Sequence, residues 1–400
     1  MMIKLSNTDK ATSTYEALQI LFQKGLTKSD VLDLSDMNPE ENKFFLQAAK
    51  YYKRGLQTKP PYETIRPKNP PVVFEKSFPQ KCCIVVDHNV YKHWRPAFTS
   101  QQVIVIDDVN ESNKNWSSFE SLCQKLIDIL EPIFIVGGGI VCDMGAFACG
   151  HLGKTFHLVP TTFLAMVDAA IGGKSGVNFE PYGKNQVGLF VWPVSVNMNL
   201  DYLKTLDPSQ FASGLSEAYK HHFLQPGLLK LSTLPKTYEQ CSEESVGNII
   251  KVKQNVVTRD ALESGPRKTL NFGHSFGHAL EALTMDQNLF SHGEAVAWGM
   301  VFANFLSVKL GFMTQDDFKQ YLNELQDLSL LTTGNYLMEC YDTQGLLKYF
   351  RHDKKNTDKI NMVLFQTKGH LVNGSYTTAV SLQTLEKNLS DFLVFLENLE

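Results

Sequence analysis

The sequence predicts an α/β N-terminal domain built on a doubly wound parallel sheet, followed by a mainly α-helical C-terminal domain. Two observations predict it. From about residue 72, short β-branched or aromatic runs alternate with helical patterns, which is the signature of parallel strands joined by crossover helices. Beyond about residue 207 the period turns almost wholly helical. A length of 400 residues with 43% apolar and 20% charged side chains is enough to bury two cores.

Residues 1–58 read as helical, with Asn38-Pro39 as an N-cap and first-turn proline and Gly55 as a stop. The Pro-rich stretch Lys59-Pro-Pro61 to Asn69-Pro-Pro71 must be extended and reads as a linker, so 1–71 forms a helical extension. Val72-Val-Phe74, Cys83-Ile-Val-Val86, Val103-Ile-Val-Ile106, Ile133-Phe-Ile-Val136 and Phe156-His-Leu-Val159 are the candidate strands of a domain spanning 72–206. Ser117–Leu130 is one of the helices between them. In the domain 207–400, helices are expected over Pro208–Phe223, Cys241–Thr258, Ser275–Met285, Gly293–Leu310, Thr314–Leu328 and Leu382–Glu397. A hairpin of Ile360–Phe365 with Gly369–Val372 interrupts them.

A net charge of −4 gives no reason to expect nucleic acid or an acidic membrane as partner. No run of 18 apolar residues exists to span a bilayer, and the first residues lack the apolar core of a signal peptide. The 7 cysteines lack metal-type CxxC spacing and read as reduced thiols, which places the expected location in the cytoplasm.

Three clusters carry chemistry. Gly137-Gly-Gly139-Ile-Val-Cys-Asp143 follows an apolar strand and opens a helix, so a phosphate could rest on its backbone N–H groups. It is not GxGxxG, and a tight structural turn explains it as well as a nucleotide site does. Asp87-His-Asn89 closes an earlier strand, where ribose-binding groups commonly sit. A second cluster places Lys174 and Lys184 among glycines, in Asp168-Ala-Ala-Ile-Gly-Gly-Lys174 and Gly183-Lys-Asn185. Glu217 and Lys220 lie i,i+3 on a helix, and Lys253 and Arg267 follow. If these converge, a mildly acidic protein has one cationic cleft suited to phosphate and carboxylate, and crowding lowers its lysine pKa values. In the third cluster His274 and His278, spaced i,i+4, share a helix face and have the spacing of a metal-binding pair. His292 arrives after a loop. The three histidines mark a metal or substrate site.

In order, GGGxxxD, PTTxLAxVDxxxGGKxGxN, GKN, LxExxK, RxxLNxGHxxGHAxE and HGEA resemble the 3-dehydroquinate synthases, a branch of the sugar phosphate cyclases, from about residue 80 to about 365. The resemblance implies a dehydroquinate-synthase-like fold and a cytoplasmic homodimer. The implied reaction is NAD- and metal-dependent cyclisation of 3-deoxy-D-arabino-heptulosonate 7-phosphate, with phosphate eliminated and NAD regenerated. It implies a zinc or cobalt ion on Glu217, His274 and His292, moving His278 from the metal to phosphate and proton handling. Implied NAD contacts are Asp87, Asn89, Glu111, Lys114, Gly138, Gly139, Asp143, Thr161, Thr162, Lys184 and Thr205. Implied contacts to an anionic sugar phosphate are Asp168, Lys174, Asn185, Lys220, Lys253, Arg267, Asn271, His278 and Lys355.

Three departures stand out. Leu152-Gly153 replaces the family's Arg-Gly pair, leaving Lys154 as the nearest substitute cation. Ser209-Gln210 replaces Arg-Glu, and the extension 1–71 is additional. A sister cyclase acting on another phosphorylated ketose, such as sedoheptulose 7-phosphate, would explain the lost arginine. A metal-dependent polyol dehydrogenase shares the architecture, but a neutral polyol gives Lys174, Lys220 and Arg267 nothing to bind.

Overall fold

The computed structural model describes residues 2–6, 9–25, 31–37, 39–52, 70–99, 101–284, 289–331, 334–352 and 358–399. Lys355, Asn38, Gly55 and the linker prolines Pro60 and Pro61 lie outside them. The chain forms two compact units, 1–160 with 173–199 and 161–172 with 200–400.

The first unit opens with β1 (Met2–Ser6), α1 (Thr14–Gln23), β2 (Val31–Asp36) and α2 (Pro39–Tyr52). The extension was expected to be wholly helical, but β1 and β2 pair in parallel. The alternation in Val31-Leu-Asp-Leu-Ser-Asp36 has the period of a strand, and pairing with β1 decides the outcome. Then come β3 (Val72–Phe74), β4 (Cys83–Asp87), α3 (His88–Trp94), β5 (Gln102–Ile106), α4 (Trp116–Leu126), β6 (Ile133–Gly137), α5 (Gly139–Leu152) and β7 (Phe156–Pro160). The antiparallel pair β8 (Lys174–Phe179) and β9 (Gly183–Phe190) and the short β10 (Val196–Met198) complete the unit.

Six strands form one sheet in the order β3-β10-β7-β6-β4-β5, every pairing parallel. All residues of β4 and β6 are buried, which is why their sequences are continuous apolar runs without polar alternation. After β4 the chain adds β5 on one side and then returns to add β6 on the other. The carboxyl ends of β4 and β6 therefore flank the topological switch point, where open α/β sheets bind ligands. Asp87 ends β4, and Gly137-Gly-Gly139 follows β6. A Cβ on Gly137 would lie 2.7 Å from that of Val141, so the turn into α5 has no room for a side chain. Three consecutive glycines at that turn leave its backbone open to a ligand.

The second unit contains α6 (Pro208–Leu224), α7 (Glu243–Arg259), α8 (His274–Leu283), α9 (His292–Lys309), α10 (Gln315–Asp327), α11 (Gly334–Cys340) and α12 (Thr343–His352). After them come β11 (Lys359–Met362), β12 (Phe365–Thr367), β13 (His370–Leu371), β14 (Thr378–Ser381) and α13 (Leu382–Glu397). Where a single hairpin was expected there are two antiparallel pairs: the hairpin β12–β13 and, outside it, β11 with β14. No helix among the described residues is long and apolar enough to cross a membrane. All 7 cysteines are free.

Helix α9 is buried on every side from Ala295 to Ser307, as a central helix must be. Its start is fixed by a capping box in which Ser291 and Glu294 exchange hydrogen bonds. Its neighbours approach closely. A Cβ on Gly299 would stand 1.9 Å from the Gly273 carbonyl oxygen, and one on Gly293 would stand 2.3 Å from the Ser213 Cα. Gly293 N–H donates to Ser213 Oγ at 2.8 Å, tying the start of α9 to α6.

Gly299→Ala is expected to lose about 2–3 kcal/mol of stability by overpacking α8 against α9. Gly247→Ala, in α7 with nothing near its missing Cβ, should gain about 0.5–1 kcal/mol from the unfolded chain's reduced entropy. Urea denaturation of both variants measures this; equal effects would contradict the close packing.

Candidate active site

The site in the second unit is built around Glu217, in the middle of α6, whose side chain is wholly buried. Burying a carboxylate is costly unless charges or hydrogen bonds compensate it. Lys220, one turn on and equally enclosed, forms an ion pair with Glu217 Oε2. The other oxygen, Oε1, accepts no hydrogen bond and faces two imidazoles, with His274 Nε2 and His292 Nε2 each at 3.5 Å. Helix packing produces this convergence, because His274 opens α8 and His292 opens α9.

The arrangement fits a divalent metal. Ligand atoms about 2.0–2.1 Å from a tetrahedral ion stand about 3.3–3.4 Å apart, close to the separations observed. The outer nitrogens of both histidines are occupied: His274 Nδ1 faces the Phe272 carbonyl at 3.1 Å, and His292 Nδ1 faces Glu281 Oε2 at 3.3 Å. Such partners select the tautomer that leaves Nε2 free as a ligand. Burial, reinforced by Lys220, pushes the His274 pKa well below the usual range and keeps the ring neutral. Burial also opposes protonation of His292, but Glu217 and Glu281 outweigh it and raise its pKa to about 10, so a metal ion bound there would displace a proton from Nε2. Burial alone would raise the Glu217 pKa; Lys220 and His274 overrule it and hold the carboxyl ionised.

His278 is exposed, its ring centroid 5.3 Å from that of His274. It groups with Glu281 and His292 in a second potential ligand set. That set lacks a buried carboxylate, and its Glu281 is already engaged with His292 Nδ1. The geometry thus favours Glu217, His274 and His292 over a His274–His278 pair.

A cationic group adjoins this centre. Lys253 Nζ lies 2.7 Å from Asp168 Oδ1 and 2.6 Å from the Asp168 carbonyl oxygen. Lys220 stands 3.9 Å from the same carboxylate. Crowding was expected to lower the pKa of both lysines, and the structure separates them. Burial and the nearby Lys220 and Arg267 charges lower that of Lys253, against the pull of Asp168. Lys220 is raised in spite of burial, because Glu217 and Asp168 both face it. Burial would raise the Asp168 pKa, but Lys253 and Lys220 hold it far below the usual carboxylate range.

Arg267 is fully enclosed, donating from Nη1 to the Ala261 carbonyl at 2.5 Å. Its backbone is anchored by Asp260, whose carboxylate accepts from the N–H groups of Ser264, Gly265 and Arg267. A Cβ on Gly172, where φ is +104°, would fall 2.6 Å from Arg267 Nη2, so only glycine fits beneath the guanidinium. Asn271 Nδ2 donates to Glu263 Oε1 at 2.7 Å.

Within the first unit a polar network joins residues that the sequence keeps far apart. Lys114 Nζ donates to Asp143 Oδ2 at 2.5 Å and to Asn185 Oδ1 at 2.6 Å. Asn178 Nδ2 donates to the Glu111 carbonyl and to Glu111 Oε1, both at 2.9 Å, while Asn178 Oδ1 accepts from Asn185 N–H at 2.8 Å. Glu111, Lys114, Asp143 and Asn185 are therefore one group, next to the helix that Gly138 caps and Gly139 opens. Asp87 caps α3 through the Asn89 N–H, and burial pushes its pKa up. Lys174 begins β8, and Lys184 is the second residue of β9.

Thr161, Thr162 and Thr205 belong to the second unit. Thr161 is buried, Thr162 Oγ1 accepts from Ala165 N–H, and Thr205 Oγ1 donates to the Tyr202 carbonyl. Lys154 corrects an expectation. Its amine donates to the Ile127 and Ile129 carbonyls at 2.7 Å each, so it closes the end of the α4 segment instead of presenting a free cation.

Sequence reasoning gave no role to His221, Glu281, Asn178 or Asp260, although Asn178 and Glu281 stand in the ordered motifs. His221 is fully buried with Nε2 3.4 Å from Asp168 Oδ1. Its position on the turn of α6 that carries Lys220 was the available signal. Nothing comparable marked Asp260, whose partners are backbone groups.

Known proteins are similar to this chain in sequence and in architecture. Residues 102–213 match the domain described as 3-dehydroquinate synthase N-terminal, and residues 214–356 the one described as 3-dehydroquinate synthase C-terminal. The 3-dehydroquinate synthase of Helicobacter pylori (strain G27) is 36% identical over 260 residues, 63% of this chain and 74% of that protein. The 3-dehydroquinate synthase of Rhodopseudomonas palustris (strain BisA53) is 32% identical over 318 residues, 73% of this chain and 83% of that protein. In architecture, 2-deoxy-scyllo-inosose synthase, solved with carbaglucose-6-phosphate, NAD+ and Co2+, superposes with a TM-score of 0.69 at 22% identity. That match covers 81% of this chain and 99% of the other. The two matched domains, which together span residues 102–356, define a protein of dehydroquinate-synthase architecture. The chain is an enzyme of the 3-dehydroquinate synthase family.

Removing the carboxylate behind His292 by Glu281→Ala is expected to weaken metal affinity about 10–100-fold without abolishing it. Glu217→Ala should abolish stoichiometric binding. Metal content after dialysis against graded chelator measures both, and an unchanged Glu281→Ala profile would remove that residue from the support of His292.

Proposed function

We propose that the protein converts 3-deoxy-D-arabino-heptulosonate 7-phosphate to 3-dehydroquinate, a carbon–oxygen lyase reaction in which phosphate is eliminated and NAD is regenerated. The observation that carries this reading is the Glu217 centre set against buried cations: a metal-type donor set with Lys220, Lys253 and Arg267 around it. Family membership and relatives named 3-dehydroquinate synthase support it.

Glu217, His274 and His292 would hold the divalent ion, with zinc or cobalt as candidates. Asp87, Asn89, Glu111, Lys114, Gly138, Gly139, Asp143, Thr161, Thr162, Lys184 and Thr205 would hold the dinucleotide. When bound, these groups supply Lewis acidity to the substrate's hydroxyl and keto oxygens and a reversible hydride acceptor.

The chain's own residues do the rest. Arg267, fixed by Asp260 and Gly172, presents a preset guanidinium to a carboxylate or phosphate oxygen. Lys253, its ammonium destabilised by burial and by neighbouring cations, is suited to giving up a proton near Asp168. Lys220 keeps its charge and holds Glu217 oriented with Oε1 turned to the histidines. By the family resemblance, Lys174, Asn185, Asn271 and Lys355 are the candidates for the remaining anion and hydroxyl contacts. His278, exposed beside His274 and His292, is the candidate for moving protons at the departing phosphate.

A second reading, a sister cyclase acting on sedoheptulose 7-phosphate, is favoured by one observation. Leu152 stands where an arginine is expected, and Lys154, already bonded to two carbonyls, does not replace it.

The test is phosphate release from each sugar phosphate with metal and substoichiometric NAD, monitored together with absorbance for NADH. Many turnovers per NAD on the heptulosonate, without accumulating NADH, are expected. Turnover of sedoheptulose 7-phosphate alone would establish the second reading, and net NADH would indicate a dehydrogenase. Lys253→Ala is expected to lower kcat on the active substrate about 100-fold or more, while metal content stays near wild type. Retained activity would place the proton transfer elsewhere.

A further inference from the structure

We propose that the N-terminal extension positions the nucleotide site, with Phe22 and Tyr15 of α1 clamping the tip of the β8–β9 hairpin. This rests on the reading of Lys114, Asp143, Lys184 and Asn185 as ligand-binding residues.

The extension is built into the aromatic core of the first unit. Phe22 stacks on Tyr182 with ring centroids 4.3 Å apart and on Phe179 at 5.3 Å. Tyr15 meets Phe179 edge-on at 5.2 Å, and Trp116 of α4 stands 6.1 Å from the same ring. From α2, the fully buried Tyr51 packs edge-on against Phe147 of α5 at 5.2 Å and hydrogen-bonds His151 Nδ1. Each such pair adds to the stability supplied by burying its area.

Phe179 and Tyr182 bracket the hairpin tip, and the residues beside them carry the polar network. Asn178 binds the Glu111 loop from one strand, and Asn185, the third residue of the other strand, has φ +52°. That φ is uncommon for a residue other than glycine, so neighbouring contacts have to hold it. On one side the Asn185 N–H is tied to Asn178 and its side chain to Lys114. On the other, the aromatic stack from α1 fixes the turn itself. Without Phe22 the tip keeps its polar anchors but loses its apolar support. Lys184 and Asn185 would then have to be ordered when the ligand binds, which weakens affinity.

The experiment uses the full chain. Phe22→Ala is expected to raise the NAD dissociation constant about tenfold, with kcat little changed. It should also speed amide exchange across 178–186 but not across β6, and Phe22→Tyr should restore both. Tyr182→Ala, on the other side of the stack, should give the same loss, and the double variant no more than either alone. Unchanged tip exchange in a folded Phe22→Ala or Tyr182→Ala protein overturns the proposal, whatever the affinity does. Should the wild-type protein fail to bind NAD, the functional reading falls, and the exchange rates alone still decide whether α1 holds the tip.

Discussion

The buried carboxylate of Glu217 is the constraint on which the second unit depends. A carboxylate out of water is tolerated only where cations, donors or a metal replace its hydration, and removing one partner of such a group costs about 3–5 kcal/mol. Here Lys220 takes one oxygen, and the Nε2 edges of His274 and His292 face the other. Asp168 then balances the excess positive charge of Lys220 and Lys253. Lys220 and the two carboxylates thus hold one another charged inside a protein core, with one oxygen of Glu217 left facing the Nε2 edges of two imidazoles.

The helix packing makes this arrangement available. Gly293 lets α9 start against Ser213, one turn before Glu217, and Gly299 lets α8 lie on α9 with backbone nearly touching backbone. The first residues of α8 and α9 are therefore the ones delivered to the α6 carboxylate. In the first unit, strand order does the equivalent work, bringing the end of β4 and the glycine turn after β6 to the switch point. The local sequence sets each helix start, and close packing converts those starts into a site.

Much of this was legible in the sequence. The apolar runs of β4 and β6, the glycine turn and the helices of the second half follow from periodicity and turn chemistry, and the ordered motifs carried the family. The strands of the extension were not legible, because β1 and β2 are short and gain their identity only by pairing with each other. The hairpin near residue 365 was misread for a similar reason. One apolar run, Ile360–Phe365, serves two strands with different partners. Spacing alone suggested His274 with His278, and only the position of Glu217, far away in sequence, shows which imidazole edges share a carboxylate. Lys154 illustrates the same limit from the other side: its charge was visible, but the two carbonyls that hold it were not.

The central claim is that Glu217, His274 and His292 form one metal centre inside this charge network. Its most direct test is an anomalous difference map from crystals of the full chain loaded with zinc and collected at the zinc edge. The account predicts a single strong peak about 2.0–2.2 Å from Glu217 Oε1 and from the Nε2 atoms of His274 and His292. A peak among His278, Glu281 and His292, or none near Glu217 in a zinc-saturated crystal, would contradict it.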